Sequence, residues 1–226
     1  MEEPITNQTT YTEATPPAEA APESDASPAT APAVKKKPPL KTVLIIAAVC
    51  AAVLAVAVIF LVRSGPSSIA KRYALASWND NKTAASLCIY DWEAYLLASY
   101  DGDAEKFFEK QSDYYDADIS SWAQYYKAVD ANLKESLEDE YGKYKITAEV
   151  TKSKDMSVKK LLEDTASRIK YLESNIAFDA DTIADAKLVT VKLKLAGEDD
   201  IDRTKMAVYM VKAGGRWGVL DWDYVD

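Results

Sequence analysis

Twenty consecutive residues without a charge, Val43 to Val62 in "KKKPPLKTVLIIAAVCAAVLAVAVIFLVR", constrain this chain more than anything else in it. As a helix rising about 1.5 Å per residue they cover roughly 30 Å, the thickness of a bilayer's hydrocarbon core. Thirteen of the twenty are Val, Ile, Leu or Phe. At about -0.3 to -0.6 kcal/mol each, their summed preference for lipid is on the order of -4 to -8 kcal/mol. A helix buried in a soluble core would keep a polar face, and this run has none. A cleaved export signal fits less well. "SIA" at Ser68 to Ala70 loosely matches a small-x-small cleavage site, but about forty residues precede the run, and it exceeds the roughly 7 to 15 residues of a signal core. The expectation is a permanent transmembrane helix over 43–62, with Val43, Leu44, Ile45, Ile46, Val53, Leu54, Ile59, Phe60, Leu61 and Val62 as its anchoring side chains.

Lys35, Lys36, Lys37 and Lys41 crowd the basic juxtamembrane segment 35–42, whereas Arg63, Lys71 and Arg72 are spread over the ten residues after the span. Cytoplasmic flanks carry the excess of Lys and Arg. This bias places the N-terminus inside and the C-terminal part beyond the membrane. Ala47, Ala51 and Ala55 recur every four residues, a stripe of small side chains that would let two such helices approach and the chain dimerise.

Residues 1–34 contain no Lys or Arg, six carboxylates and mostly Pro, Ala and Thr otherwise. So little apolar surface cannot offset the entropy of ordering, and the segment reads as a disordered acidic cytoplasmic tail. From Arg63 onward the chain has 23 basic and 30 acidic side chains. That acidic balance argues against nucleic acid as a partner. There is no His, which removes the commonest general base and the commonest zinc ligand. Cys50 lies in the apolar run and Cys88 in the later part, so the folded part has no internal disulfide to form.

After a short linker, 63–67, an α+β domain is expected over 68–226. A first helix capped by Ser67 or Ser68 puts Ile69, Tyr73 and Ala76 on one face. "NDN" at 79–81 ends it and starts a second, which runs through Leu87, Tyr90, Ala94 and Leu97. A short helix carrying Phe107 and Phe108 follows "DGD". Ser121 and Gln124 form a capping box for a long helix with Trp122, Tyr126, Val129, Leu133 and Leu137 inward, ended by Gly142. The period then falls to two from Tyr144 to Val150. One more helix spans 158–173, and strands follow at 189–195, 204–212 and 216–224. Gly214-Gly215 suits a two-residue turn. That register sets Met210 opposite Val219, Tyr209 opposite Leu220 and Ala207 opposite Trp222. Both faces of the hairpin are then apolar, so its second face should be covered by a subunit, the helix at 158–173 or a ligand.

The opening helix from Ile69 to Trp78, the "NDNKTAASL" step and the closing Gly215, Arg216, Trp217 and Val219 of "VYMVKAGGRWGVLDW" together resemble the NTF2-like superfamily, a cystatin-like cone of helices on a curved antiparallel sheet. The likeness is to domains held outside the membrane by single-span proteins of Gram-positive bacteria. It implies a pocket between helices and sheet but not a chemistry, because that fold hosts enzymes, binders and scaffolds alike.

An isomerase-like site would need a carboxylate base among Tyr or acid donors. Asp91, between Tyr90 and Trp92 with Tyr95 one turn on, is the weak catalytic candidate. The acidic loops "FDADTIAD" and "GEDDID" lack the spacing of a calcium loop. Tyr114 and Tyr115 beside Asp116 and Asp118 suggest stacking against sugars. No cofactor and no metal are expected. The favoured expectation is a non-catalytic module that binds a protein, peptide or glycan at the cell envelope, and the alternative is a pocket that binds or converts a small apolar ligand. A packed interior favours the first, and an open cavity with Asp91 projecting into it favours the second.

Overall fold

The computed structural model describes residues 64–198 and 200–225. The expected tail, basic segment and span, with Lys35, Lys36, Lys37, Lys41 and the Ala47, Ala51 and Ala55 stripe, lie outside the described residues. Among those described, no helix is long and apolar enough to cross a membrane.

The fold is α+β. Seven α-helices are described: α1 Pro66–Ala76, α2 Asn81–Ser86, α3 Trp92–Leu97, α4 Ala104–Tyr115, α5 Trp122–Tyr141, α6 Val158–Asp164 and α7 Ala166–Ile176. They pack with four strands, β1 Lys145–Met156, β2 Ile183–Ala196, β3 Ile201–Ala213 and β4 Arg216–Val225, which form an antiparallel meander in the order β1-β2-β3-β4.

Helix α1 starts two residues before the expected domain boundary. Its N-cap is Gly65 and Pro66 occupies its first turn, in place of a Ser67 or Ser68 cap. Pro suits that position because its missing N–H would have no partner there. Ala70 and Ala74 are fully buried, which brings the α1 backbone close to the sheet. Trp78, just past α1, packs over Ile146, Leu193, Leu195 and Thr204. The same sheet face carries Val189, Val191, Met206, Val208 and Met210, all 0 % exposed. No open cone remains at that level, because these side chains fill it.

The opposite face carries Ala186, Leu188, Tyr209 and Val211. The helix expected as one of its covers does pack on it. It is two helices rather than one, α6 and α7, broken at Thr165, whose backbone leaves helical geometry and whose buried hydroxyl donates to the Leu161 carbonyl at 2.8 Å. Leu161 and Leu172 are fully buried beneath them. Arg168 of α7 reaches Asp221, which stands opposite Tyr209.

The β3–β4 turn has Gly214 and Gly215 at φ 56° and 80°, as a two-residue turn requires. Met210 does pair with Val219, but the register then slips by one, so Tyr209 faces Asp221 and Val208 faces Trp222. Leu220 is the extra residue of a β-bulge and is fully buried. The slip moves Trp222 to the Met206 face, correcting its expected place beside Tyr209.

Strand β1 runs to Met156, well past the alternating stretch, with a register shift between Val150 and Lys152. Residues 151–155 are exposed and polar, a solvated edge of the kind that discourages strand pairing. The capping box at Ser121 and Gln124 is present, and Gly142, at φ 66°, ends α5.

Candidate functional site

The expected second helix is interrupted, and the interruption lies between two clefts of the surface. Leu87 to Ile89 leave the helix and lie parallel to β4 as one rung. The Ile89 N–H donates to the Val219 carbonyl at 2.8 Å, and the Val219 N–H to the Leu87 carbonyl at 2.9 Å. Gly218 permits this approach, since a Cβ there would lie 2.9 Å from the Ile89 Cα. Arg216 adds hydrogen bonds from Nη2 to the Cys88 and Ile89 carbonyls at 3.4 and 3.2 Å. The rung buries Cys88 and Tyr90 and turns the chain into α3.

Two clefts meet at Trp92 and Cys88. One, of about 150 Å³, lies between α1, α2 and β4, where Tyr73, Ala84 and Trp92 face Trp222 and Tyr224. Trp222 and Tyr224 are 36 % and 45 % exposed and sit edge to face at 5.3 Å. The other, of about 270 Å³, has Lys82, Ser86, Asp91, Glu93, Tyr126 and Arg216 around it beside Tyr90 and Trp92.

Behind the clefts is a rigid support. The Arg168 Nε and Nη2 donate to Asp221 Oδ1 at 3.1 and 2.9 Å, and its Nη1 donates to the Tyr95 hydroxyl. Tyr95 stacks on Trp92 at 5.1 Å and meets Tyr171 at 5.2 Å. Burial is the largest single influence and opposes the charge of Arg168, but the bond to Asp221 and the electrostatic attraction of Tyr90, Asp221 and Tyr95 together outweigh it and hold the guanidinium above its ordinary range. Through Tyr95, Trp92 of α3 is thereby linked to Arg168 of α7 and Asp221 of β4.

Asp91 is exposed, and its carboxylate accepts the Ala94 N–H at 3.0 Å, which makes it the N-cap of α3. Burial pushes the Cys88 thiol up to about 12, so it stays protonated and a poor nucleophile. Tyr73 and Tyr90 are raised further by burial and remain neutral. Glu93 is also raised by burial, while the Tyr126 hydroxyl donates to it at 3.4 Å. Among the described residues no His, Cys, Asp or Glu cluster could hold a metal.

Tyr114, 76 % exposed at the end of α4, meets Tyr115 edge to face at 4.7 Å, and Tyr115 lies 6.4 Å from Tyr125. Trp222 and Tyr224, which also meet edge to face, carried a sequence signal: in "LDWDYV" carboxylates and aromatics alternate, which puts the rings on one face of a strand. The chain matches no protein-family model, no curated protein and no solved structure.

Proposed function

We propose that this chain is a single-pass membrane protein whose α+β domain, of NTF2-like type, lies outside the cytoplasm and binds a partner at the cell envelope without catalysis. The supporting observation is a division within the domain. The space between α1 and the sheet is filled by fully buried Ala70, Ala74, Met206, Val208 and Met210, while Trp92, Trp222 and Tyr224 face an open cleft at its edge. Aromatic side chains give contact area at small entropic cost, and a cleft of this size takes one side chain or ring of a larger partner rather than a whole substrate.

A photo-crosslinking residue in place of Tyr224, in the intact protein in its native envelope, tests the reading. One discrete adduct that Trp222→Ala abolishes is the expected result. Adducts equally abundant from a probe at Lys192, on a different strand, would contradict it. The rival reading, turnover of a small apolar ligand with Asp91 as base, requires that Asp91→Asn abolish conversion.

A further inference from the structure

The domain begins beside one particular turn. Ser64, Gly65 and Ile69 line a groove of about 460 Å³ whose other wall is Lys212, Gly215, Arg216 and Trp217, at the β3–β4 turn. Three peptide units separate Gly65 from Val62, the last residue of the apolar run. At no more than about 3.6 Å per residue, Gly65 stands within roughly 11 Å of the end of that run. The headgroup layer on each side of the hydrocarbon core is roughly 5 to 8 Å deep. On the span reading, the groove therefore starts within or just above the lipid headgroups.

Its side chains suit that position. Trp concentrates at membrane interfaces, where its ring bridges apolar and wet layers. The hydrogen bonds from Arg216 to the Cys88 and Ile89 carbonyls both come from Nη2, and a guanidinium carries further N–H donors at Nε and Nη1 that suit a phosphate. Lys212 pairs across the strands with Trp217, and Lys71 and Arg72 are exposed on the helix that starts at the groove. These cations gather at the membrane end of a domain with an excess of carboxylates. Asp185 stands opposite Lys212 on β2 and offsets part of its charge, whereas Arg216 is on the strand beyond.

We propose that the β3–β4 turn rests on the outer leaflet, with Arg216, Lys212 and Trp217 engaging phospholipid headgroup phosphates, and that this contact orients the domain. The inference rests on the span reading. Tyr224 lies seven residue steps along β4 from Trp217, up to about 23 Å of strand. The contact thus carries the Trp222–Tyr224 cleft away from the bilayer and presents it to the envelope.

The test uses the full chain in nanodiscs of phosphatidylcholine and phosphatidylglycerol that include a gadolinium-chelate headgroup lipid, with all five Trp replaced by 5-fluorotryptophan. The Trp217 resonance, assigned by its loss in Trp217→Phe, should relax at least roughly tenfold faster than that of Trp222, given their separation along β4. Lys212→Glu should reduce the Trp217 effect in anionic discs and leave that of Trp222 unchanged. Equal relaxation of the two in a protein that has integrated into the disc overturns the docking and spares the span. A protein that alkaline carbonate strips from the lipid overturns the span reading, and the docking with it.

Discussion

The sheet-backed body buries mostly aliphatic side chains in one continuous set, from Ile69 of α1 to Leu220 of β4, whereas the α4–α5 hairpin buries rings of its own. Phe107, 2 % exposed, lies 5.0 Å from Trp122, 5.1 Å from Tyr125 and 5.3 Å from Tyr100. None of these four belongs to the body's cluster. Polar contacts join the regions: Asp130 of α5 accepts from the Asn81 N–H at 2.9 Å and Nδ2 at 2.8 Å, and Tyr126 donates to Glu93. At the far end of α5 the Tyr141 carbonyl accepts from the Glu198 N–H at 3.0 Å. A region with a separate core and polar joints can open at a lower free energy than the sheet it rests on.

The largest expected effect tests that separation. Phe107→Ala should cost the hairpin about 4 kcal/mol, seen as lost amide protection in α4 and α5 while β2 and β3 keep theirs. Equal loss in the strands would make hairpin and body one cooperative unit. Met210→Ala, deep in the body, should cost about 3 kcal/mol and lower the urea midpoint reported by every probe together. Asp130→Ala strands the N–H and amide of Asn81 and should cost about 2 kcal/mol, with hairpin protection falling more than sheet protection. A loss shared evenly would mean that the joint does not hold the hairpin separately.

The smallest effect concerns pH. Burial raises the Glu93 carboxyl, so the native state binds its proton more tightly than the unfolded chain does. The ionised form therefore costs stability at neutral pH, and that cost disappears as pH falls through the raised native value. Glu93→Gln should stabilise the protein at pH 7 by less than about 1 kcal/mol, since the half-buried group is still partly screened by solvent. The gain over the parent should vanish in acid, and a gain independent of pH would show that the carboxylate is not its source. Asp80, lowered by its bonds to Thr83, works in the opposite sense and loses its contribution as pH falls.

Local patterns in the sequence carried much of the fold. Val189, Val191, Leu193 and Leu195 alternate and are all buried, the Gly214-Gly215 turn is where its composition puts it, and the Ser121 cap starts α5. Features fixed by distant partners were not legible. Leu87 to Ile89 fit a helical period, yet their pairing with Val219 outweighs it. The bulge at Leu220 leaves no trace in a strand that is apolar on both faces, and so Trp222 was assigned to the wrong face. Thr165 breaks the helix at 158–173 through a hydroxyl that bonds back to Leu161, a competition that periodicity does not register. The site was legible only in part. Asp91 followed by Trp92, Glu93 and Ala94 is an N-cap pattern as much as a catalytic one, and the cleft beside it depends on the slipped register.

Whether the domain faces away from the cytoplasm can be measured at one residue. Tyr114 is 76 % exposed, while the Cys88 thiol is buried and Cys50 lies within the apolar run. Tyr114→Cys in the full chain should react with a membrane-impermeant maleimide on sealed cells as completely as after lysis. Labelling that appears only once the cells are broken would put the domain in the cytosol and contradict the account.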